Sequence, residues 1–385
     1  MHIALKVLYL QSNQLCMESF EKYNLSVNPF LETLKIQAPN SFWMDIFDVQ
    51  KSIENILVRY ALIGGSNIVL NYGPYGNGKT YTAKHFCSEP ILRNLFGNKQ
   101  IPFSLYSTFP SNNDPIKSLF FLIIDSIDFV KIKKTLHNSK GFDFIEASNL
   151  CSSNPFFQNI MLMLFTKMDN NILAKELKLY LYDNLNPIKL NKCEINRRLM
   201  SDSDYIHFLI AFFNFITYKK VVYPCVNLWL DDSEIIIHHN VSNLSIIISF
   251  LTKMMEDSFN LHIFLNFSKS SFADLKDFYH YLQPSVVGFI HQKNDFIFDN
   301  TSIYKQFILK LLEWRRIKLN DSETNFFPFT EEVVTNVISE LGNNISLRRC
   351  CVSFSTLLEF AIFDNISIID TEYYHSIKNE VVGCC

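Results

Sequence analysis

The sequence has almost no net charge, few arginines and no paired-cysteine motif, and each shortage excludes something. Lys and Arg number 35 against 38 Asp and Glu, a formal charge of −3 over 385 residues. Such a balance rules out a globally basic nucleic-acid coat and an acidic disordered tail, so any DNA contact has to come from a local patch or a partner. Nine cysteines are present and none forms a CxxC pair. This removes zinc-ribbon and thioredoxin-type sites and leaves reduced thiols in a cytoplasmic protein as the expectation. Cys384-Cys385 has the form of a prenylation end, but a small-GTPase body is missing. No apolar run reaches the roughly 18 residues of a membrane span, and the most tempting one, His207–Thr217, fits a soluble helix. The N-terminus lacks a signal-peptide cleavage site, and Met17 is an alternative start. There is no internal repeat and no low-complexity segment.

What is present is a large apolar fraction, 48%, enough for two domains or one large domain with an appendage. Asn28-Pro29-Phe30 reads as an extended entry. Asp45–Ala61 reads as an amphipathic helix, with Ile46, Val49, Ile53, Ile56 and Leu57 on one side. Short apolar runs at Asn67–Asn71, Ile101–Ser107, Cys225–Leu230 and Leu261–Phe267 predict four strands, and Ser285–Ile290 with an exit at Phe296–Phe298 predicts a fifth. Lys79–Phe96 predicts a helix broken near Pro90. Between strands two and three, about 116–220 is a helical insertion containing a helix Tyr205–Tyr218 capped by Ser203. Its Phe-rich stretches, Phe120-Phe121, Phe156-Phe157 and Phe212-Phe213, read as core. Leu244–Met255 is helical. Past about Asn300 only helices follow: Ile303–Arg316, Glu331–Leu341 and Leu347–Phe363, the last two capped by Thr330 and Ser346. The pattern predicts an α/β fold: a parallel five-stranded P-loop sheet with flanking helices, a helical insertion and a C-terminal helical lid. Divided by residue, it is an N-terminal extension (1–40), a core (41–300) and a lid (301–385).

The strongest motif is Gly73-Pro74-Tyr75-Gly76-Asn77-Gly78-Lys79-Thr80, a complete GxxxxGK[ST] between an apolar strand and a helix. Glycines let the backbone fold so that its N–H groups face phosphate oxygens, and the helix that starts at Lys79-Thr80-Tyr81 adds its positive end. Lys79 is expected on the β- and γ-phosphates of ATP and Thr80 on Mg²⁺. Strand three ends in Asp231-Asp232-Ser233-Glu234, which delivers carboxylates to the rim where open α/β sheets bind ligands. Asp231 is expected to hold Mg²⁺ through water, and Asp232 or Glu234 to orient an attacking water. Asn266 closes strand four and is a candidate for hydrogen-bonding the γ-phosphate or that water, with Ser268 as the lesser choice. Of the eight arginines, six form pairs. Arg348-Arg349 open a lid helix, where a guanidinium fork can meet phosphate. Arg315-Arg316 suit the end of a helix dipole. For Arg197-Arg198 a phosphate sensor, a finger for a neighbouring subunit and a plain surface pair all stay open. His238-His239 lack further ligands at metal spacing and read as exposed histidines.

These features, in this order, resemble the AAA+ superfamily, and within it the origin-recognition and replication-initiator ATPases and related prokaryotic ATPases of transposition, secretion and phage defence. The resemblance runs from about Asn28 to Phe363. It implies that Arg348 or Arg349 acts as the lid's sensor arginine and that Ile46-Phe47 line the adenine pocket. It also implies protein partners or a homo-oligomer, and no membrane. Three departures stand out: Asp232 where the family has Glu, no arginine in Ser285–Lys293, and about twenty residues after the lid where initiators carry a winged-helix domain. The expected function is an ATP-driven ATPase controlling a DNA-associated assembly, with Lys131, Lys133, Lys134, Lys140 and Arg197-Arg198 as the candidate basic stripe. The competing expectation is a slow-hydrolysing nucleotide switch that binds a protein and not DNA. A small-molecule kinase is disfavoured by the lid pattern and the acidic strand end.

Overall fold

Unbroken apolar runs become the central strands of a parallel sheet, because a strand buried on both faces has no solvent side to decorate. A computed structural model of the chain describes residues 20–34, 49–167, 170–182, 195, 197–269, 274–298, 300–318, 325–342 and 345–382. It divides into two compact units, one made of Lys51–Gly73 and Lys79–Asp295, the other of Met1–Gln50, Pro74–Gly78 and Phe296–Cys385.

The sheet unit holds β1 (Asn67–Pro74), β2 (Phe103–Thr108), β3 (Val226–Asp231), β4 (Leu261–Lys269) and β5 (Ile290–Asp295), in the order β2-β3-β4-β1-β5. All strands run parallel. β3 is buried at every position and β4 at its first seven. Trp229 lies between Phe86 and Phe264. Between β2 and β3 the helices Pro115–Asp125, Phe129–Asn138, Phe144–Cys151, Pro155–Leu162, Asn170–Leu181 and Asp202–Ile216 form the insertion. Phe120, Phe157, Phe212 and Phe213 are buried in its core, as their helical spacing implies. Among the described residues no helix is long and apolar enough to cross a membrane.

Several boundaries differ from the sequence expectation. The fifth strand is Ile290–Asp295, and Ser285 belongs to a helix, Leu275–Val287, that the sequence did not reveal. An edge strand has one neighbour and partly solvated faces, so its residues IHQKND need no apolar run. The Val286-Val287 pair that suggested a strand instead closes a helix kinked at Gln283-Pro284. Ser201, not Ser203, caps Asp202–Ile216, through a capping box with Asp204. The break after the glycine loop falls at Cys87-Ser88, giving helices Lys79–Phe86 and Glu89–Phe96 with Pro90 in the first turn of the second. Ile46-Phe47 and the start of the Asp45–Ala61 helix lie outside the described residues, and the helix described there is Val49–Ile63.

In the second unit, helices Thr301–Arg315, Glu331–Leu341, Leu347–Phe363 and Thr371–Val382 pack with the short helix Pro29–Leu34. Asn28-Pro29-Phe30 is a helix start, not an extended entry. The Asn28 Oδ1 accepts the N–H groups of Phe30 and Leu31, and Pro29 takes the first helical position, where a missing N–H costs nothing. The Asn28 amide donates to Ser355 Oγ at 2.9 Å, while Phe30, Phe329 and Phe354 pack ring to ring. Thr330 and Ser346 cap their helices as expected. The last helix, Thr371–Val382, was not foreseen; its polar, tyrosine-bearing sequence (TEYYHSIKNEVV) buries only a narrow face through Tyr374 and Val381.

Candidate nucleotide site

The sheet unit gathers its acids where β3 ends. Asp231 is buried, and both its carboxylate oxygens are held: Oδ1 accepts from Asn266 Nδ2 at 3.0 Å and Oδ2 from the Tyr106 hydroxyl at 2.9 Å. Tyr106, on β2, was not singled out in the sequence; a tyrosine near the rim of the neighbouring strand is too common a pattern to stand out. Beside that carboxylate, burial and the Asp231 charge push the Tyr106 hydroxyl well above its ordinary pKa. Asn266 also donates to the Lys79 carbonyl at 3.2 Å. Both its amide hydrogens are therefore engaged within the protein, and in this state it holds Asp231 rather than reaching outward.

Lys79 begins its helix buried, with Nζ donating to the Gly73 carbonyl at 2.9 Å. Burial drives its pKa down to about 8, and Glu234, Asp231 and Asp232 pull the other way. Thr80 and Tyr81 follow in the same turn, both half-buried. Asp232 leaves the strand with φ of 55°, a left-handed conformation that Asp tolerates better than most residues. Its carboxyl is raised to about 6, first by burial and then by Asp231 and Glu234. Glu234 Oε2 accepts the Ser268 N–H at 2.9 Å, so this carboxylate braces the end of β4. The structure thus separates the two candidates for orienting water: Asp232 is raised toward neutrality, Glu234 is tied to backbone.

The charges of Glu234, Asp231 and Asp232 all act on the Lys79 ammonium, against the larger effect of burial. The oxygen donors of Asp231 and Thr80 suit a hard divalent cation such as Mg²⁺, which keeps most of its water shell. Among the described residues no cluster of three or more His, Cys, Asp or Glu forms a self-contained metal cage. His238 is exposed, while His239 is half-buried with Nε2 against the Pro110 carbonyl. Within the basic stripe, Lys131 pairs with Glu89, and Arg197 pairs with Asp204 at 2.9 Å and lies over the Phe156 ring. Arg197 therefore packs the insertion.

The middle of the glycine loop, Pro74–Gly78, belongs to the helical unit. There the Arg348 N–H donates to the Gly76 carbonyl at 3.1 Å, and its guanidinium donates to the Tyr75 hydroxyl at 2.5 Å. Asn77 is buried: its amide donates to the Phe296 carbonyl and its Oδ1 accepts the Leu347 N–H. The Asn77 side chain is thus a bracket between loop and helix. Arg349 sits in the same first turn, its N–H on Ser346 Oγ. Gly78 has φ of 91° and Gly76 of 86°, and a Cβ on Gly76 would meet Arg348 Cβ and Ser346 Oγ at 2.9 Å. Gly76→Ala is expected to cost about 1–2 kcal/mol from the left-handed backbone alone. The clash adds to this, because the start of helix Leu347–Phe363 must shift. Urea denaturation of the variant checks this, with ATP affinity falling in parallel.

No protein-family model matches the sequence, and no curated protein matches it. Among solved structures, the ORC2 protein of Aeropyrum pernix in its ADP form is similar over 90% of this chain and 72% of that one, with a TM-score of 0.51 and 13% identity. Cdc6p from Pyrobaculum aerophilum is similar over 90% of this chain and 71% of that one, with a TM-score of 0.51 and 13% identity. With the β2-β3-β4-β1-β5 sheet and the glycine loop leaving β1, these likenesses show that the chain has the AAA+-type P-loop fold of the archaeal origin-recognition and Cdc6 proteins.

Proposed function

We propose that this protein binds ATP with Mg²⁺ and uses its binding and hydrolysis to control a DNA-associated assembly. The observation that carries the reading is Lys79: a buried lysine, opening the helix after a GxxxxGK[ST] loop, held among Asp231, Asp232 and Glu234 at the rim of a parallel sheet. A lysine is costly to bury, and a polyphosphate is the kind of ligand that repays it. In this reading the loop N–H groups and Lys79 take the phosphates, Thr80 and Asp231 hold Mg²⁺, and Asp232 orients water. Mg²⁺ would offset phosphate charge. Arg348, already against the loop through Tyr75 and Gly76, acts with that loop. The ADP form of the A. pernix ORC2 structure is consistent with an adenine nucleotide in this fold.

A second reading, a slow nucleotide switch that recognises a protein and not DNA, has its own support. Lys131 and Arg197 are neutralised by Glu89 and Asp204, which thins the basic stripe, and Asp232 is one methylene shorter than Glu. Calorimetry with ATP, with and without Mg²⁺, tests the shared core of both readings; no uptake in either condition defeats them together. Turnover measured against protein concentration, with and without duplex DNA, separates them. The first expects turnover to rise with concentration and with DNA at low salt. The second expects a flat, slow rate.

A further inference from the structure

Asparagine is a poor strand residue, yet Asn71, Asn266 and Asn294 stand in β1, β4 and β5, and all three are buried. Buried amides require partners, and these three find them in one another. Ser52 Oγ donates to Asn294 Oδ1 at 3.3 Å, Asn294 Nδ2 to Asn71 Oδ1 at 2.9 Å, and Asn71 Nδ2 to Asn266 Oδ1 at 2.8 Å. Asn266 Nδ2 then donates to Asp231 Oδ1. With Tyr106 donating to the other Asp231 oxygen, the ladder takes one side chain from each of the five strands, β5, β1, β4, β3 and β2 in spatial order. Asn71 and Asn294 are register partners across the β1–β5 pair.

The orientation of each amide follows from the end of the ladder. The Lys79 carbonyl can only accept, so the Asn266 nitrogen faces it and Asp231 Oδ1, and the Asn266 oxygen faces β1. That oxygen needs a donor, which turns the Asn71 nitrogen toward it. The Asn71 oxygen in turn needs the Asn294 nitrogen. Every donor points toward Asp231, and aligned hydrogen bonds of this kind polarise one another.

We propose that Asn71 and Asn294 are positioning residues that fix the Asn266 amide and, through it, the carboxylate plane Asp231 presents to Mg²⁺. The proposal rests on the nucleotide reading above. It assigns Asn266 a role as the last rung of a sheet-wide brace, and it ties the edge strand β5 and the helix carrying Ser52 to the metal-holding acid.

The test uses the full chain and compares wild type with Asn71→Leu, which keeps the branched four-atom side chain and removes both polar atoms. ATP affinity in EDTA is expected to stay within about twofold. The Mg²⁺ affinity, read as the free-Mg²⁺ dependence of ATP binding, is expected to fall about tenfold or more, the usual size for a lost support behind a metal ligand. Asn294→Leu leaves the Asn71–Asn266 bond in place and is expected to give a smaller loss, with Ser52→Ala smaller still. In the ligand-free protein, the Asn266 side-chain amide resonances, identified by their loss in Asn266→Ala, are expected to shift in Asn71→Leu. A folded Asn71→Leu variant that binds ATP with unchanged Mg²⁺ affinity, or in which both affinities fall equally, overturns the ladder alone. If Asn71→Leu does not fold, Asn294→Leu decides by the same criterion. A wild-type chain that takes up no ATP overturns the nucleotide reading and this proposal with it.

Discussion

Lys79→Met is expected to lose ATP binding by at least about a hundredfold, the scale for removing one partner of a buried charged contact, while the ligand-free protein becomes more stable. The two effects share one cause. Burial lowers the Lys79 pKa from 10.5 to about 8 in the folded chain. Between those values the unfolded chain holds the proton and the folded chain does not, so stability rises with pH across that window. At pH 7, below both values, the penalty is fully present, on the order of 3 kcal/mol. Methionine fills similar space without the charge, so thermal denaturation at pH 7 should show a raised midpoint in the same sample in which calorimetry shows ATP binding lost. Near pH 11 the wild type and the variant should converge. A variant that is destabilised at pH 7, or that still binds ATP tightly, contradicts the view of Lys79 as a strained lysine kept for a polyphosphate.

Asp232→Asn is expected to keep ATP binding and lower turnover by about a hundredfold or more, the range for losing a positioned general base. Asparagine accepts the left-handed backbone that Asp232 adopts at φ of 55°, so the change tests chemistry and not strain. The Asp232 carboxyl is raised to about 6 in the ligand-free protein, so kcat/KM of the wild type should fall as pH drops through about 6, and that acid limb should vanish in the variant. The linked stability effect runs the other way. A carboxyl whose folded pKa is raised adds stability that is fully present below the ordinary value of 3.8 and is lost as pH rises through about 6. If turnover in Asp232→Asn equals wild type, the role passes to Glu234, whose Oε2 would have to leave the Ser268 N–H.

The glycine loop after β1 and the acidic end of β3 were legible because their signals are local. Four residues at fixed spacing, Gly73, Gly78, Lys79 and Thr80, define the loop, and a run from Val226 to Leu230 followed by acids defines a strand that delivers carboxylates to a rim. The four apolar strands were legible for the same reason. β5 was not: an edge strand reading IHQKND has no run to find, and most of the apolar stretch Ser285–Ile290 that predicts a strand belongs to the preceding helix. Ser203 and Ser201 stand two residues apart, and only the capping box with Asp204 shows which one caps. Asn28-Pro29 carries the chemistry of a helix cap, but its second partner, Ser355, lies 327 residues away.

The order of residues along the chain alone determined that there is a glycine loop with a lysine, an acid pair after an apolar strand, and helices past Asn300, since each depends on spacing within a few turns of backbone. Only the tertiary structure decided what Asn266, Asn71, Asn294 and Tyr106 bond to, that Arg197 pairs with Asp204, and that Glu234 accepts from Ser268. A hydrogen bond between strands is set by sheet order and register, and neither is written in the near neighbours of any one residue.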